Sequence, residues 1–186
     1  WLDRSKTAAI SKHTNAFKLN EDVVIPLPKM GEYTDAIERL NIELSIENKL
    51  ELVDALGDYM ASPFTLGKTD DVELDRLPRS EILGDRVEQA LELLDYTRRR
   101  WHWLLTHFDA PVAAALPELS SLGLTTLGSG FDPRPGLRII DLVQDHTIRV
   151  SWKTEVRGPL ERIFAGTAFA PVLAQCEAIH AEVLRG

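Results

Sequence analysis

A single cysteine stands among the 186 residues of this chain, and acidic residues outnumber basic ones by 29 to 21. Cys176 alone cannot close an internal disulfide, which suits a reducing cytosol. The net charge of −8 and a pI near 5.1 make duplex nucleic acid and anionic membrane surfaces poor partners. No apolar run approaches the roughly 20 residues that a membrane span needs. The common site motifs are missing as well. Gly128-Ser-Gly130 runs into Phe-Asp-Pro, which cannot open a phosphate-cradling helix, and there is no Walker loop, no His-Glu-x-x-His and no Cys-x-x-Cys. The histidines at 13, 102, 107, 146 and 180 are scattered. His102 and His107 diverge on a helix, so no internal metal site is expected. No initiator Met and no signal segment open the chain at Trp1, and an excised segment of a larger protein is expected.

What is present is mostly helical patterning. Val23–Leu27 reads as a short edge strand with Pro26 and Pro28 at its exit. The next stretch, 31–61, predicts a long helix with two apolar stripes, Ile37-Leu40-Leu44 and Ile46-Leu50-Val53-Met60. Such a helix is either covered on two sides or broken near Asn48. Ser62-Pro63 ends it. Leu83, Val87, Ala90, Leu94, Thr97, Trp101, Leu104 and Phe108 then form a heptad seam over roughly seven turns, with Ser80 as N-cap and Pro111 as stop. An antiparallel hairpin of the two helices is the natural packing. A short helix over 110–122 is expected to break at Pro117. A long loop over 123–136 follows, then strands at 137–143 and 147–152. A helical turn comes after Gly158-Pro159, and an amphipathic helix over 169–185 closes the chain.

The expected class is α+β, mainly α-helical, with a few short strands at the ends and a long helical hairpin insertion. Three parts are expected: 1–61, holding the arm, edge strand and long helix; 62–144, the hairpin insertion and loop; and 145–186, a strand and the closing helices.

Few residue clusters suggest chemistry. Asp70, Asp71, Glu73 and Asp75 alternate like a calcium loop, but the required Gly and the twelfth-position Glu are absent, so a solvated loop is the better account. Glu21 and Asp22 are adjacent on a strand and face opposite ways, which rules against shared acid–base work. Arg98-Arg99-Arg100 before Trp101-His102-Trp103 reads either as a patch for an anionic or stacked partner, or as Trp101 in the core with arginines paired to acids such as Asp95. The opening arm remains. Across residues 1–20, Arg4, Lys6, Lys12 and Lys18 face a single acid, Asp3, in a strongly acidic chain. It reads as a local anion site, Arg4 offering a planar fork to a carboxylate, or as an ordinary exposed basic coil.

Trp1-x-x-Arg4, Lys18 and Asp22-Val-Val-Ile-Pro26 followed by a helix resemble the cap domain of FAD-linked oxidases, the D-lactate and glycolate dehydrogenase-like flavoproteins. Lys12–Glu43 and Ser151–Leu173 more closely resemble a domain of unknown function inside large bacterial FAD/FMN-binding oxidoreductases that also carry an iron–sulfur region. The resemblance implies a segment of a flavin-dependent dehydrogenase acting on a small 2-hydroxy acid, with no catalytic residue of its own. Arg4 would hold the substrate carboxylate. Lys18 or Asn20 would assist it: relatives place a lysine about two residues before the Asp-to-Pro strand, where Asn20 stands, and Lys18 lies four before Asp22.

FAD would be bound mainly outside this chain, and an iron–sulfur cluster would belong to the parent protein. The partners would be the 2-hydroxy acid and other domains of the parent polypeptide, with no nucleic acid and no membrane span. The setting would be cytoplasmic or peripheral to the inner membrane. The competing expectation is a non-catalytic helical module, docking another domain or subunit through the 79–108 seam and the Arg/Trp patch.

Overall fold

The computed structural model describes residues 25–63, 65–67, 78–124 and 133–185. Its longest element is helix α1, Met30–Ala61. It is followed by the short α2, Arg79–Leu83, and by α3, Arg86–Thr106. The chain goes on through α4, Val112–Ser121, and α5, Ile139–Gln144. A π-helical turn at Lys153–Arg157 runs directly into α6, Gly158–Ile163, and the described chain closes with α7, Ala170–Val183.

The packing of α1 on α3 dominates. It is antiparallel, as its cross-links show: Arg39, near the start of α1, reaches Asp109 beyond the end of α3, while Asp54 pairs with Arg98 further back along α3. The predicted seam is the contact surface. Ala90, Leu94, Thr97, Trp101, Leu104 and Phe108 are all buried, and Val87 packs beside them. From α1 the buried side chains are Ile46, Leu52, Val53, Leu56 and Met60. Helix α7 lies against α1, and α6 against α3, so that Leu160, Phe164, Phe169, Val172 and Cys176 complete a single core. The burial of this continuous apolar cluster is the main stabilising term, since each fully buried Leu or Ile side chain contributes about 1.5–3 kcal/mol.

Several expected elements differ. Helix α1 is continuous through Asn48. Its C-terminal half is deeply covered, whereas nothing before Ile46 is buried and Leu40 of the first stripe is exposed. The single long helix expected after Ser80 is two, because Gly84 adopts a left-handed φ of 51°. Only glycine takes that conformation readily. Arg86 Nη1 donates to the carbonyl oxygens of Ile82 and Leu83, answering the last turn of α2. Ser80 is therefore not an N-cap; Pro78 and Asp85 hold those positions. Helix α4 runs through Pro117, which sits on its exposed side, instead of breaking there.

No strand exists among the described residues, and the few short strands expected are corrected accordingly. Leu27 opens a 3₁₀ turn, Leu27–Lys29, closed by the Lys29 amide on the Pro26 carbonyl; residues 23 and 24 lie outside the described part. The 137–143 run folds instead as α5. Asp141 accepts the Arg138 amide at 2.8 Å and caps the helix start, and Ile139, Ile140 and Leu142 are all buried, a pattern that fits a short buried helix as well as a strand. Burial alternates only over 147–150, Ile148 being buried and Arg149 exposed, while Val150, Ser151 and Trp152 are all half-buried, and no strand among the described residues pairs with them. The Ile148 amide bonds to the Leu142 carbonyl and the Ser151 amide to a carboxylate, so residues 147–151 form an irregular strap, and Trp152 is already helical. The one β-bridge among the described residues joins Pro111 to Arg138 and pins the start of α4 to that of α5.

Leu56 is fully buried in the middle of this packing. Leu56→Ala should lower the unfolding free energy by about 2–5 kcal/mol in urea titration, while Leu40→Ala on the exposed stripe should change it by less than about 0.5 kcal/mol. Equal effects would contradict the assignment of the buried face.

Candidate functional site

Arg4, Lys18 and Asn20 lie outside the described residues, as do Glu21, Asp22 and the acidic loop of Asp70, Asp71, Glu73 and Asp75. The Arg98–Trp103 cluster is described, and its charges are spent within the chain. Arg98 Nε meets Asp54 Oδ1 at 2.6 Å across the hairpin, Arg99 pairs with Asp95 at 3.0 Å, and Arg100 Nη1 lies 2.7 Å from Glu155 Oε1. Trp101 is fully buried in the seam, and Trp103 stacks on His107 with ring centroids 4.5 Å apart. Trp101 and Arg100 are thus part of the packing, while Arg98 and Arg99 stay exposed with their charges paired within the chain. Asp95 serves Arg99 only, since Arg98 turns to α1.

Glu155 organises what lies beside this cluster. The π-helical turn widens the backbone at Lys153–Arg157 and places the Glu155 carboxylate beneath the strap. Its Oε2 accepts the Ser151 amide at 2.7 Å and the Trp101 indole N–H at 3.3 Å. With Arg100 on the other oxygen, one carboxylate links α3, the strap and the π turn. Both charged side chains are largely buried, 15% exposed for Arg100 and 13% for Glu155. At its other end the strap is set by His146, whose φ of 62° is left-handed, and by Asp145 Oδ1 accepting the Thr147 amide at 2.8 Å. Those hydrogen bonds from Thr147 hold the Asp145 carboxyl below its usual range.

Between the strap and α1 lies a cavity of about 410 Å³. Its apolar wall consists of Ile42 and Ile46 from α1, facing Ile148 and Val150. Polar groups stand around it. Lys49 is mostly buried, and its ammonium donates to the Ser45 hydroxyl at 2.6 Å and to the Ser45 carbonyl at 3.1 Å. Burial pushes its pKa down, opposed by the nearby Glu155 charge. Arg149 is exposed and donates Nε to the His146 carbonyl at 3.3 Å. The Oδ1 atom of Asn41, also in the lining, is buried without a hydrogen-bond partner. Neither Lys49 nor Arg149 has an ion-pair partner among the described residues, whereas the guanidinium groups of Arg39, Arg98, Arg99, Arg100, Arg138 and Arg157 all do.

Sequence reasoning did not single out Glu155, Lys49, Arg149 or Asn41. One signal was readable. Lys49 falls three residues after Ile46 and four before Val53, where the buried stripe of α1 should continue, so a cation occupies an apolar position. Nothing comparable marks Glu155, because its role depends on the π turn. Among the described residues no group of three His, Cys, Asp or Glu side chains is placed to hold a metal, and no helix is long and apolar enough to cross a membrane. Cys176 is buried in α7, and burial pushes its thiol up to about 12. Compared with protein-family models, curated proteins and solved structures, the chain matches none.

Two outcomes follow from this geometry. Glu155→Ala should cost about 3–5 kcal/mol in urea unfolding because it strands the buried Arg100 charge, and Glu155→Gln, which keeps an acceptor for Ser151 and Trp101, should cost less. Equal losses would show that the hydrogen bonds carry no weight. With its pKa raised from 9.0 to about 12, Cys176 should react with a disulfide reagent at pH 8 about a thousandfold more slowly in the native protein than in the unfolded chain. Ionisation of the unfolded thiol should likewise erode native stability as the pH rises from 9 towards 12. A native thiol reacting as fast as the unfolded one would contradict the burial.

Proposed function

We propose that this chain is part of a flavin-dependent oxidoreductase acting on a small 2-hydroxy acid, supplying carboxylate binding through Arg4 together with a helical insertion. The observation that carries this reading is the residue pattern of the opening arm, Trp1-x-x-Arg4 leading through Lys18 to Asp22-Val-Val-Ile-Pro26, which resembles the cap of FAD-linked oxidases. A second observation supports it. The two stretches that carry the closer resemblance, 12–43 and 151–173, are separated by more than a hundred residues, yet Glu38, Asn41 and Ile42 of the first line one cavity with Ser151 of the second. On this reading the flavin takes the hydride and is held mainly by another domain, while Arg4, with Lys18 or Asn20, orients the substrate carboxylate. An iron–sulfur region of the parent protein would carry electrons onward.

The alternative, a docking module built on the 79–108 seam and the Arg98–Trp103 cluster, draws no support from those surfaces, because the seam is covered by α1 and the arginines are paired internally. A docking role would have to use other surfaces, such as the open first turns of α1 with Met30 and Leu40.

The isolated 186-residue chain should not bind FAD stoichiometrically in a flavin titration; tight one-to-one binding would overturn the division of labour proposed here. In the complete flavoenzyme, Arg4→Ala should lower kcat/KM for the 2-hydroxy acid by about a hundredfold, the loss of a charge-assisted carboxylate contact. Unchanged kinetics would remove Arg4 from the site.

A further inference from the structure

The cavity between α1 and the strap combines an aliphatic wall with an excess of positive charge. Its walls are aliphatic, yet two cations of this acidic protein are gathered there without carboxylate partners among the described residues. Glu38 is the one acidic side chain of the lining, against Lys49 and Arg149. An ammonium has three donors. Two contacts of the Lys49 amine are to Ser45, both neutral, so the charge itself is left unmatched. Holding a mostly buried ammonium in that state is unfavourable unless an anion completes it. Arg149 uses Nε on the His146 carbonyl, and its two Nη groups make no hydrogen bond to the described residues. The Glu155 carboxylate acts on Lys49 electrostatically but makes no ion pair with it: its Oε2 accepts from Trp101 and Ser151, and its Oε1, which has no hydrogen-bond partner, lies 2.7 Å from Arg100.

We propose that this cavity binds a small amphipathic carboxylate, its hydrocarbon part against Ile42, Ile46, Ile148 and Val150 and its charged end between Lys49 and Arg149. The volume, about 410 Å³, lies within the usual range for small-molecule sites, and such sites are mostly apolar with a few placed polar groups. Two cations against one acid select an anion over a cation or a neutral lipid. The aliphatic walls select a ligand with a hydrocarbon body over inorganic phosphate. The proposal does not depend on the flavin reading.

Octanoate is the probe, and 1-octanol, with the same chain and no charge, is its control. Octanoate titrated into the ¹⁵N-labelled 186-residue chain should give saturable amide shifts confined to residues 38–49 and 143–151. 1-Octanol should bind about tenfold more weakly, for want of a charge-assisted hydrogen bond. Lys49→Met, which keeps the stem and removes the charge, should weaken octanoate about tenfold and leave 1-octanol unchanged. Arg149→Gln, at an exposed position where folding is not at stake, should weaken octanoate in the same sense. Equal affinity for the acid and the alcohol, shifts mapping elsewhere, or octanoate binding unaltered by Arg149→Gln would each overturn the proposal.

Discussion

One carboxylate, that of Glu155, connects the parts of this molecule that hydrophobic packing alone would leave independent. It lies against Arg100, accepts the Trp101 indole N–H and the Ser151 amide, and sits on a π-helical turn just before Pro159, which has no N–H to give the Glu155 carbonyl. A buried ion pair of this kind is rarely a net source of stability, because desolvation of both charges offsets most of their attraction. Its value here is positional. The seam would pack α1 against α3 with or without it, but the strap over 145–151 has no strand beside it and needs a fixed anchor. With Glu155 at one end and the left-handed turn at His146 at the other, the strap is held off α1, and the cavity is the space that results.

The same arrangement explains where the charges are. Six arginines in the described residues pair with carboxylates: Arg39, for one, makes a two-pronged contact with Asp109 and reaches Glu43, and Arg157 bridges Glu161 and Glu177. The Arg39 guanidinium holds the Asp109 carboxyl below its ordinary range, although so exposed a pair contributes little to stability. Lys49 and Arg149 make no such pair among the described residues, and both line the cavity between α1 and the strap. The opening arm, with Arg4, remains the proposed contact for the 2-hydroxy acid, and the cavity is proposed on the described residues alone.

Much of the helical architecture was legible because it rests on periodicity. The alternating three- and four-residue steps from Ala90 to Phe108 could bury only one face, and that face is buried. Local backbone chemistry was harder to read. Gly84 in the middle of a strong helical pattern reads as a tolerated residue until its positive φ divides the helix. The strap reads as a strand because Ile148, Val150 and Trp152 alternate with polar residues, and alternation reports burial on one side without reporting whether a partner strand exists. The run at Leu137–Val143 is too short for its period to separate helix from strand, and the Asp141 cap decided it. The candidate site was hidden for a further reason. Glu155, Asn41, Lys49 and Arg149 are ordinary polar residues in sequence, and they gain meaning only through a π turn and a strap joined across more than a hundred residues.

The account stands or falls on the Glu155 clamp, and hydrogen exchange tests it most directly. The Ser151 amide belongs to no helix or strand, so only the Glu155 carboxylate protects it. In the native chain that amide should exchange at least about a hundredfold more slowly than an unstructured amide, and Glu155→Ala, which removes the acceptor, should erode the protection. Exchange of Ser151 at the unstructured rate in the native chain would mean that the strap is not anchored and that the cavity has no fixed wall.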